Sequence, residues 1–410
     1  MKKEDKAAYE SNIWKLYLTS FIGNLEFVSP VFVLFLLANQ LTMTQVFLLQ
    51  SLFTVIIFIM EVPSGVAADL FGRKQTLALS YLFICMGFII YGISSTFPFF
   101  IIAETFIALS WALYSGTDSA FVYDTLKELK REKQFKKIMG NIAACLMLGL
   151  GLASLPGGYL GELLGYRSLF FIGAFFFFIG FLFCLSLTEP KHYKKAEDTH
   201  FFKHLREGFS YAGKNQQIRK YIIYFSLIAA FVWLLFFFVP PYFEEQGYSV
   251  TVIGLIVGFG LLFQAAGYYF TEKISNKIKH DDAILLWILF ITALGFILLF
   301  FVPPLVALVT VLCLSFLNAI KEVISDHAIH QQTPSSHRAT ILSVKSMGKN
   351  IMFAIFGPIL GYATELYDIK TTLLSMGVIL FVFLVYILFL FYFTKEEKKE
   401  NHKKNTFSKK

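Results

Sequence analysis

From Phe27 to Met60 the chain reads FVSPVFVLFLLANQLTMTQVFLLQSLFTVIIFIM, thirty-four residues without one Asp, Glu, Lys or Arg. A helix needs about 20 apolar residues to cross the hydrocarbon of a bilayer, so this run holds two crossings joined by a short turn. Charge-free runs recur at 75–103, 138–161 and 283–320. Across the 410 residues, 56% are hydrophobic, Phe alone occurs 49 times, and 16% are charged. An ordinary soluble domain carries about 25% charge. The sequence describes a polytopic membrane protein, and a string of soluble domains is excluded.

Working outward gives twelve expected spans: 13–38, 45–68, 76–95, 98–123, 138–161, 167–188, 220–243, 249–271, 283–301, 305–325, 340–363 and 371–394. Breakers mark three of the turns, at Ser94 to Pro98, Pro240–Pro241 and Pro303–Pro304. With twelve spans both termini share one side, and of the 36 basic residues only Arg167 and Lys370 fall on the other. The positive-inside rule therefore predicts cytoplasmic termini in a plasma membrane. It also accounts for the net charge of +8 without nucleic acid. Cys85, Cys145, Cys184 and Cys313 all fall within expected spans, so no disulfide framework is implied. The amino end shows no small-residue cleavage site after a short apolar core, and the first helix is expected to stay.

The expected organisation is a bundle at 1–188, a linker at 189–219, a second bundle at 220–394 and a basic cytoplasmic tail at 395–410. Within the linker Phe202, Leu205 and Phe209 recur at helical spacing among Lys203, Arg206 and Lys214, as in an amphipathic helix on the membrane surface. The halves echo each other at an offset of 200 residues. Gly157, Leu160 and Gly161 match Gly357, Leu360 and Gly361, and Asp118 falls opposite Asn318. Parallel repeats of this kind predict an all-α fold of twelve transmembrane helices in two pseudo-symmetric six-helix bundles around a central cavity.

The loop between spans 2 and 3 runs Gly65-Val-Ala-Ala-Asp69-Leu-Phe-Gly72-Arg73-Lys74. This resembles the signature of the major facilitator superfamily, and the resemblance covers the whole chain in architecture. Physically, Asp69 and Arg73 are four apart at a helix end, within ion-pair reach. The resemblance implies that Asp69 faces the cytoplasmic start of span 11, where a helix amino end favours an anion. It implies that Arg73 pairs with an acid at the foot of span 4, for which Asp124 is best placed. Gly65, Asp69, Gly72, Arg73, Asp124 and, near the inner end of span 2, Glu61 would then form a latch that holds the cytoplasmic side closed. Span 5 carries Pro156, Gly157, Gly158 and Gly161, similar to the Gly-Pro motif of the family's antiporters. It departs from that motif at Gly158 and Glu162, and small residues also serve plain helix packing. The arginine that the family often has in span 4 is absent, the region reading Ala103-Glu104-Thr105-Phe106.

Each ionisable side chain in mid-bilayer costs about 2.5–3.5 kcal/mol on insertion scales and needs a reason. Glu26 falls near the middle of span 1 beside Asn24, and helical spacing puts Thr19, Glu26, Pro30 and Val33 on one face. It is the leading candidate for a proton carrier; a cationic substrate or a structural hydrogen bond are the alternatives. Glu104 and Asp118 share a stripe of span 4 if that helix is continuous, as a relay or as structural partners. Gln264 and Asn318 are polar cavity candidates, and Lys321, Glu322 and Lys349 are charges near the inner ends of spans 10 and 11. The four Trp read as lipid-facing or packing residues.

No phosphate-binding glycine loop followed by Lys-Ser or Lys-Thr occurs, so direct ATP drive is not expected. His327 and His330 lack a ligand pattern, and neither a metal, a cofactor nor an enzyme is expected. The resemblance implies a secondary transporter, and the acids within its spans without a matching arginine point to a proton-coupled one, a monomer in the bilayer, exporting an amphipathic or cationic small molecule. An importer of a small nutrient is the alternative of the same class. A non-transporting receptor or lipid-handling protein is the alternative of a different one.

Overall fold

The computed structural model describes residues 3–190, 210–278, 281–333 and 338–407. Helices account for nearly all of it, and no strand occurs among the described residues. Span 1 is built from two helices, Lys3–Ile22 and Phe32–Ala38, with a 3-10 turn at Ser29–Val31 between them. Spans 2 and 3 are Met43–Phe71 and Arg73–Ile93; span 4 is again two helices, Phe97–Tyr114 and Thr117–Glu128. Spans 5 and 6 are Phe135–Leu164 and Tyr166–Leu185. Spans 7 to 12 are Gln216–Glu244, Val250–Ile278, Asp281–Phe301, Pro304–Gln332, Arg338–Leu366 and Ile369–Phe407. The chain is a multi-pass membrane protein. The amphipathic segment around Phe202 and Leu205 lies outside the described residues.

Ten of these helices are long and apolar enough to cross a membrane. The two spans that fall short do so for physical reasons: span 1 is interrupted, and span 11 carries Lys345 and Lys349 along its length. Span 12 continues as helix through the basic tail to Phe407, beyond the expected end at 394.

Packing follows the order of the chain. Span 3 packs on spans 4 and 6, span 5 on span 1 and span 2 on span 4; then span 9 packs on span 12, span 8 on span 10 and span 7 on span 11. Between the halves span 5 packs on span 8 and span 2 on span 11, and the 3-10 turn and second helix of span 1 touch spans 8 and 7. With an even number of crossings both chain ends lie on one side, the terminus side, opposite a far side. On that far side Arg167 donates to Gly92 O at 2.9 Å, to Asn39 Oδ1 at 2.8 Å and to Ser95 Oγ at 2.8 Å, tying two turns together.

The interruption of span 1 corrects the single helical face drawn through Thr19, Glu26, Pro30 and Val33. The helix ends at Ile22, Gly23 leaves no room for a Cβ beneath the Tyr81 ring, and Pro30 starts the next turn without an N–H. The loosened end is satisfied locally: Gly23 N–H donates to Thr19 O at 2.8 Å, and Asn24 Nδ2 donates to Ser20 O at 2.8 Å. In a bilayer such repair is obligatory, because water is not there to supply it. Span 4 breaks in the same manner at Ser115–Gly116, where Gly116 takes φ +78°. Only glycine adopts that value without strain. Glu104 and Asp118 therefore sit on different helices, and the continuous stripe through them does not exist.

The repeat is also shifted. On the far side Gly158 meets Val250 and Gly254, and Gly361 meets Met43 and Thr44, with no room for a Cβ on either glycine. The spatial match between spans 5 and 11 thus pairs 158 with 361, an offset of 203 rather than 200. A slip of three keeps a stripe of small residues on nearly the same face of a helix, which is why the shorter offset looked plausible in the sequence.

Candidate functional site

The loop between spans 2 and 3 is fixed from three directions. The Arg73 guanidinium pairs with Asp124 and also donates to Ala120 O, so span 3 is tied to the second piece of span 4. The Glu189 carboxylate accepts from the backbone N–H of Arg73 at 2.9 Å and of Lys74 at 2.7 Å. These are the first N–H groups of span 3, left without partners by helix geometry, and a carboxylate there also meets the positive end of the helix dipole. Gly72 turns the chain at φ +94°. Asp69, Gly65 and Glu61 are exposed on span 2. Glu189 was not foreseen; its only sequence signal was an acid at the start of the linker.

Glu26 lies in the break of span 1. It lines a cavity with Gly23 and Asn24, walled by Ser80 and Tyr81 of span 3, Ser110, Trp111 and Tyr114 of span 4, Leu146 of span 5 and Phe177 of span 6. Among the described residues no hydrogen bond or ion pair reaches its carboxyl group. Asp118, at the start of the second piece of span 4, is close enough for its charge to act on Tyr81 and Tyr114 of that wall, but it does not itself line the cavity. Trp111 is part of that wall as well as exposed.

Glu104 differs in every respect. It is 3% exposed and clasped between helices: Gln50 Nε2 of span 2 donates to it at 3.1 Å, and Tyr91 of span 3 donates its hydroxyl proton to the other oxygen. The Tyr91 ring stacks between Phe100 and Phe170 at 5.4 and 5.2 Å. The arrangement joins spans 2, 3 and 4 and does not reach the cavity around Glu26.

The second half gathers its charges in one place. Lys321 of span 10 is 1% exposed; its ammonium donates to Asn318 Oδ1 at 2.7 Å and lies 5.1 Å from the Phe225 ring of span 7. Lys345 of span 11 pairs with Asp326 and lies 3.5 Å from the same ring. Lys349, one turn further, lies 4.7 Å from the Trp233 ring. The Tyr268 hydroxyl of span 8 donates to Glu322 at 3.0 Å, and Gln264 lies beside it. Gln264, Asn318, Lys321, Glu322 and Lys349 are thus neighbours, although the sequence offered them as separate candidates. Trp233 supports a cation here in addition to its packing on Phe353.

The contacts described between the halves run from the far-side rim to mid-depth. Glu162 accepts from Thr251 N at 3.0 Å and from its hydroxyl at 2.6 Å, and Glu365 accepts from Thr44 N at 2.9 Å. Each carboxylate at the end of one half's helix caps the first turn of a helix in the other half. Deeper in, Ser51 Oγ donates to Ala354 O at 3.2 Å, and Phe47 packs on Phe237, Phe238 and Phe353. Of the small residues of span 5, Gly158 belongs to this seam, abutting span 8; Gly157 abuts Phe27 and Pro30, and Gly161 lies against Val31 and Tyr166, inside the first half, where Pro156 interrupts no part of the helix. Toward the terminus side, none of the described hydrogen bonds or ring contacts joins the halves, and Leu70 and Phe71 are exposed. The described contacts between the halves are thus concentrated toward the far side.

A helical membrane protein of two halves, with charged residues at mid-depth and a seam of described contacts gathered toward one side, has the construction of a transporter. The model of the Major Facilitator Superfamily matches residues 16–325, and the chain belongs to that family. An uncharacterized MFS-type transporter of Bacillus subtilis (strain 168), YxaM, is 22% identical over 362 residues, covering 86% of this chain and 89% of that one. MJ1560 of Methanocaldococcus jannaschii, also an uncharacterized MFS-type transporter, is 23% identical over 196 residues, 47% of this chain and 48% of that one. Among solved structures, the nucleoside transporter NupG superposes with a TM-score of 0.79 at 14% identity, covering 92% of this chain and 98% of that one. A bacterial homologue of the lysosomal transporter Spinster gives 0.74 at 16%, covering 92% and 95%. A POT family transporter gives 0.71 at 12%, covering 92% and 95%. These structural likenesses establish the fold. The chain is a membrane transporter of a small molecule, and it is not an enzyme.

Proposed function

We propose that this transporter is driven by protons and exports an amphipathic small molecule by alternating access across the plasma membrane, with both termini in the cytoplasm. The observation that carries the reading is Glu26: a carboxyl group at a break in a membrane helix, lining a cavity, with no partner among the described residues. A carboxyl placed so is free to take and release a proton, because no hydrogen bond fixes its ionised form. Asp118, near the Tyr81 and Tyr114 side of that cavity, gives a second acid on the way to the terminus side. The far-side clamps at Glu162 and Glu365 serve as the outer gate. Asp69, Arg73, Asp124, Gly65, Gly72 and Glu61 form the inner latch, which closes when the outer gate opens. The glycines of span 5, packed against spans 1 and 8, support the antiporter reading.

Uptake of a small nutrient is the second reading, and one observation favours it: Gln264, Tyr268 and Asn318 give the second half more hydrogen-bonding groups than a greasy export cavity needs.

Proteoliposomes loaded with the pH dye pyranine and offered a panel of aromatic amines and carboxylates test the proposal, with protein-free liposomes as the control for passive permeation. Substrate-dependent proton movement is expected in the wild type and lost in Glu26→Gln. Substrate flux with no proton movement contradicts it, and the sign of the proton flux distinguishes export from uptake.

A further inference from the structure

The second half contains a charge arrangement that a proton path does not use. Three ammonium groups converge from spans 10 and 11 on the two rings of span 7, Phe225 and Trp233. Two carboxylates stand beside them. Asp326 is occupied by Lys345, and Glu322 is held by the Tyr268 hydroxyl while its charge attracts both Lys321 and Lys349. Three lysines against two carboxylates leave one lysine in surplus among the described residues.

The surplus has an address. Lys321 has the Asn318 carbonyl oxygen, and Lys345 has a carboxylate. Among the described residues no carboxylate or carbonyl oxygen meets the Lys349 ammonium, which rests on the Trp233 face. A ring face stabilises an ammonium but does not neutralise it. Lys349, Glu322 and Tyr268 are each partly or fully exposed although they lie along membrane helices. A site of this sort is complete when an anion enters from the terminus side.

Resting on the transport reading above, we propose that Lys349, backed by Lys321 and the Trp233 ring, is the binding site for the substrate's charged end, and that the substrate is an amphipathic organic monoanion, a carboxylate on an apolar or aromatic body. One negative charge matches the surplus of one. The aromatic walls suit an apolar body. This is the opposite sign from the cationic substrate that the acids of the first half suggest: those acids belong to the proton and to structure, and the lysines belong to the cargo.

The test is a thermal-stability titration of the purified full-length protein with matched pairs of probes that differ only in the sign of the head group: benzoate and benzylamine, indole-3-acetate and tryptamine, hexanoate and hexylamine. A ligand that binds only the folded state raises the melting temperature in proportion to its occupancy. The aromatic carboxylates are expected to raise the melting temperature of the wild type and of Lys349→Arg, to lose that effect in Lys349→Gln, and the amines to leave it unchanged. Lys349→Arg guards against a variant that merely misfolds, since it keeps the charge over the ring. Stabilisation by the amines instead, a carboxylate response that survives in Lys349→Gln, or no response to any carboxylate overturns the proposal. None of these binding results depends on proton coupling. Failure of the transport reading is recorded separately, as absence of substrate-dependent proton flux.

Discussion

The two halves of this chain bury charge in opposite ways. The first half isolates its acids: Glu104 is sealed between Gln50 and Tyr91, while Glu26, in the break of span 1, lines a cavity and has no partner among the described residues. The second half pools its charges, so that Lys321, Lys345 and Lys349 share two rings and two carboxylates. Isolation suits a group that must hold its place or change its protonation alone. Pooling leaves a surplus that a ligand can neutralise. Equal folds in the two halves thus do unequal work.

The sharpest way to break the comparison is within the first half. Glu104→Ala leaves the Gln50 amide and the Tyr91 hydroxyl buried without a partner, at a cost of about 1–3 kcal/mol for each such group. A clear fall in the melting temperature of the purified protein is expected. Glu26→Gln, which breaks no described bond, is expected to melt like the wild type. Equal losses in both variants would mean that the two acids are both structural.

Next in size is the seam that joins the halves. A carboxylate capping a helix amino end contributes about 0.5–2 kcal/mol, and two such caps hold the far side shut at Glu162 and Glu365. Glu162→Gln together with Glu365→Gln is expected to populate far-side-open molecules, read as a longer distance between spin labels placed at the far-side ends of spans 5 and 8. Each single change is expected to give about half the shift in free energy, because the clamps are separate. An unaltered distance distribution in the double variant would show that the glycine seam alone closes that side. The smallest effect belongs to Glu189→Ala, which removes the cap from span 3 at a cost of about 1 kcal/mol. It is expected to lower the melting temperature slightly while the Arg73–Asp124 pair remains.

The sequence conveyed most of the architecture, because a bilayer tolerates few solutions: charge-free runs, turn prolines and the one-sided distribution of Lys and Arg all follow from hydrocarbon thickness and membrane charge. It conveyed the site far less well. Helical spacing assumes an unbroken helix, and both arguments that relied on it, through Glu26 in span 1 and through Glu104 and Asp118 in span 4, failed at a glycine. Gly23 and Gly116 are ordinary letters until the neighbouring Tyr81 ring and the positive φ are known. The lysine cluster was hidden by the counting that served topology so well. Lys321 and Lys349 were legible as charges near the inner ends of spans 10 and 11, but all three lysines counted with the basic side, Lys345 was not singled out, and only the fold brings them together at the rings of span 7. The far-side clamps had a signal, since Glu162 stands where the related motif has glycine, but its partner Thr251 lies in the other half and only the fold joins them.

The central claim is that Glu26 couples substrate movement to protons without being needed for the movement itself. Substrate carried by the wild type should be followed in proteoliposomes in two modes for Glu26→Gln: accumulation against its gradient under an imposed pH difference, and exchange of labelled for unlabelled substrate at equal pH. The account predicts that accumulation disappears while exchange continues at a rate comparable to the wild type. Accumulation as strong as in the wild type would contradict it.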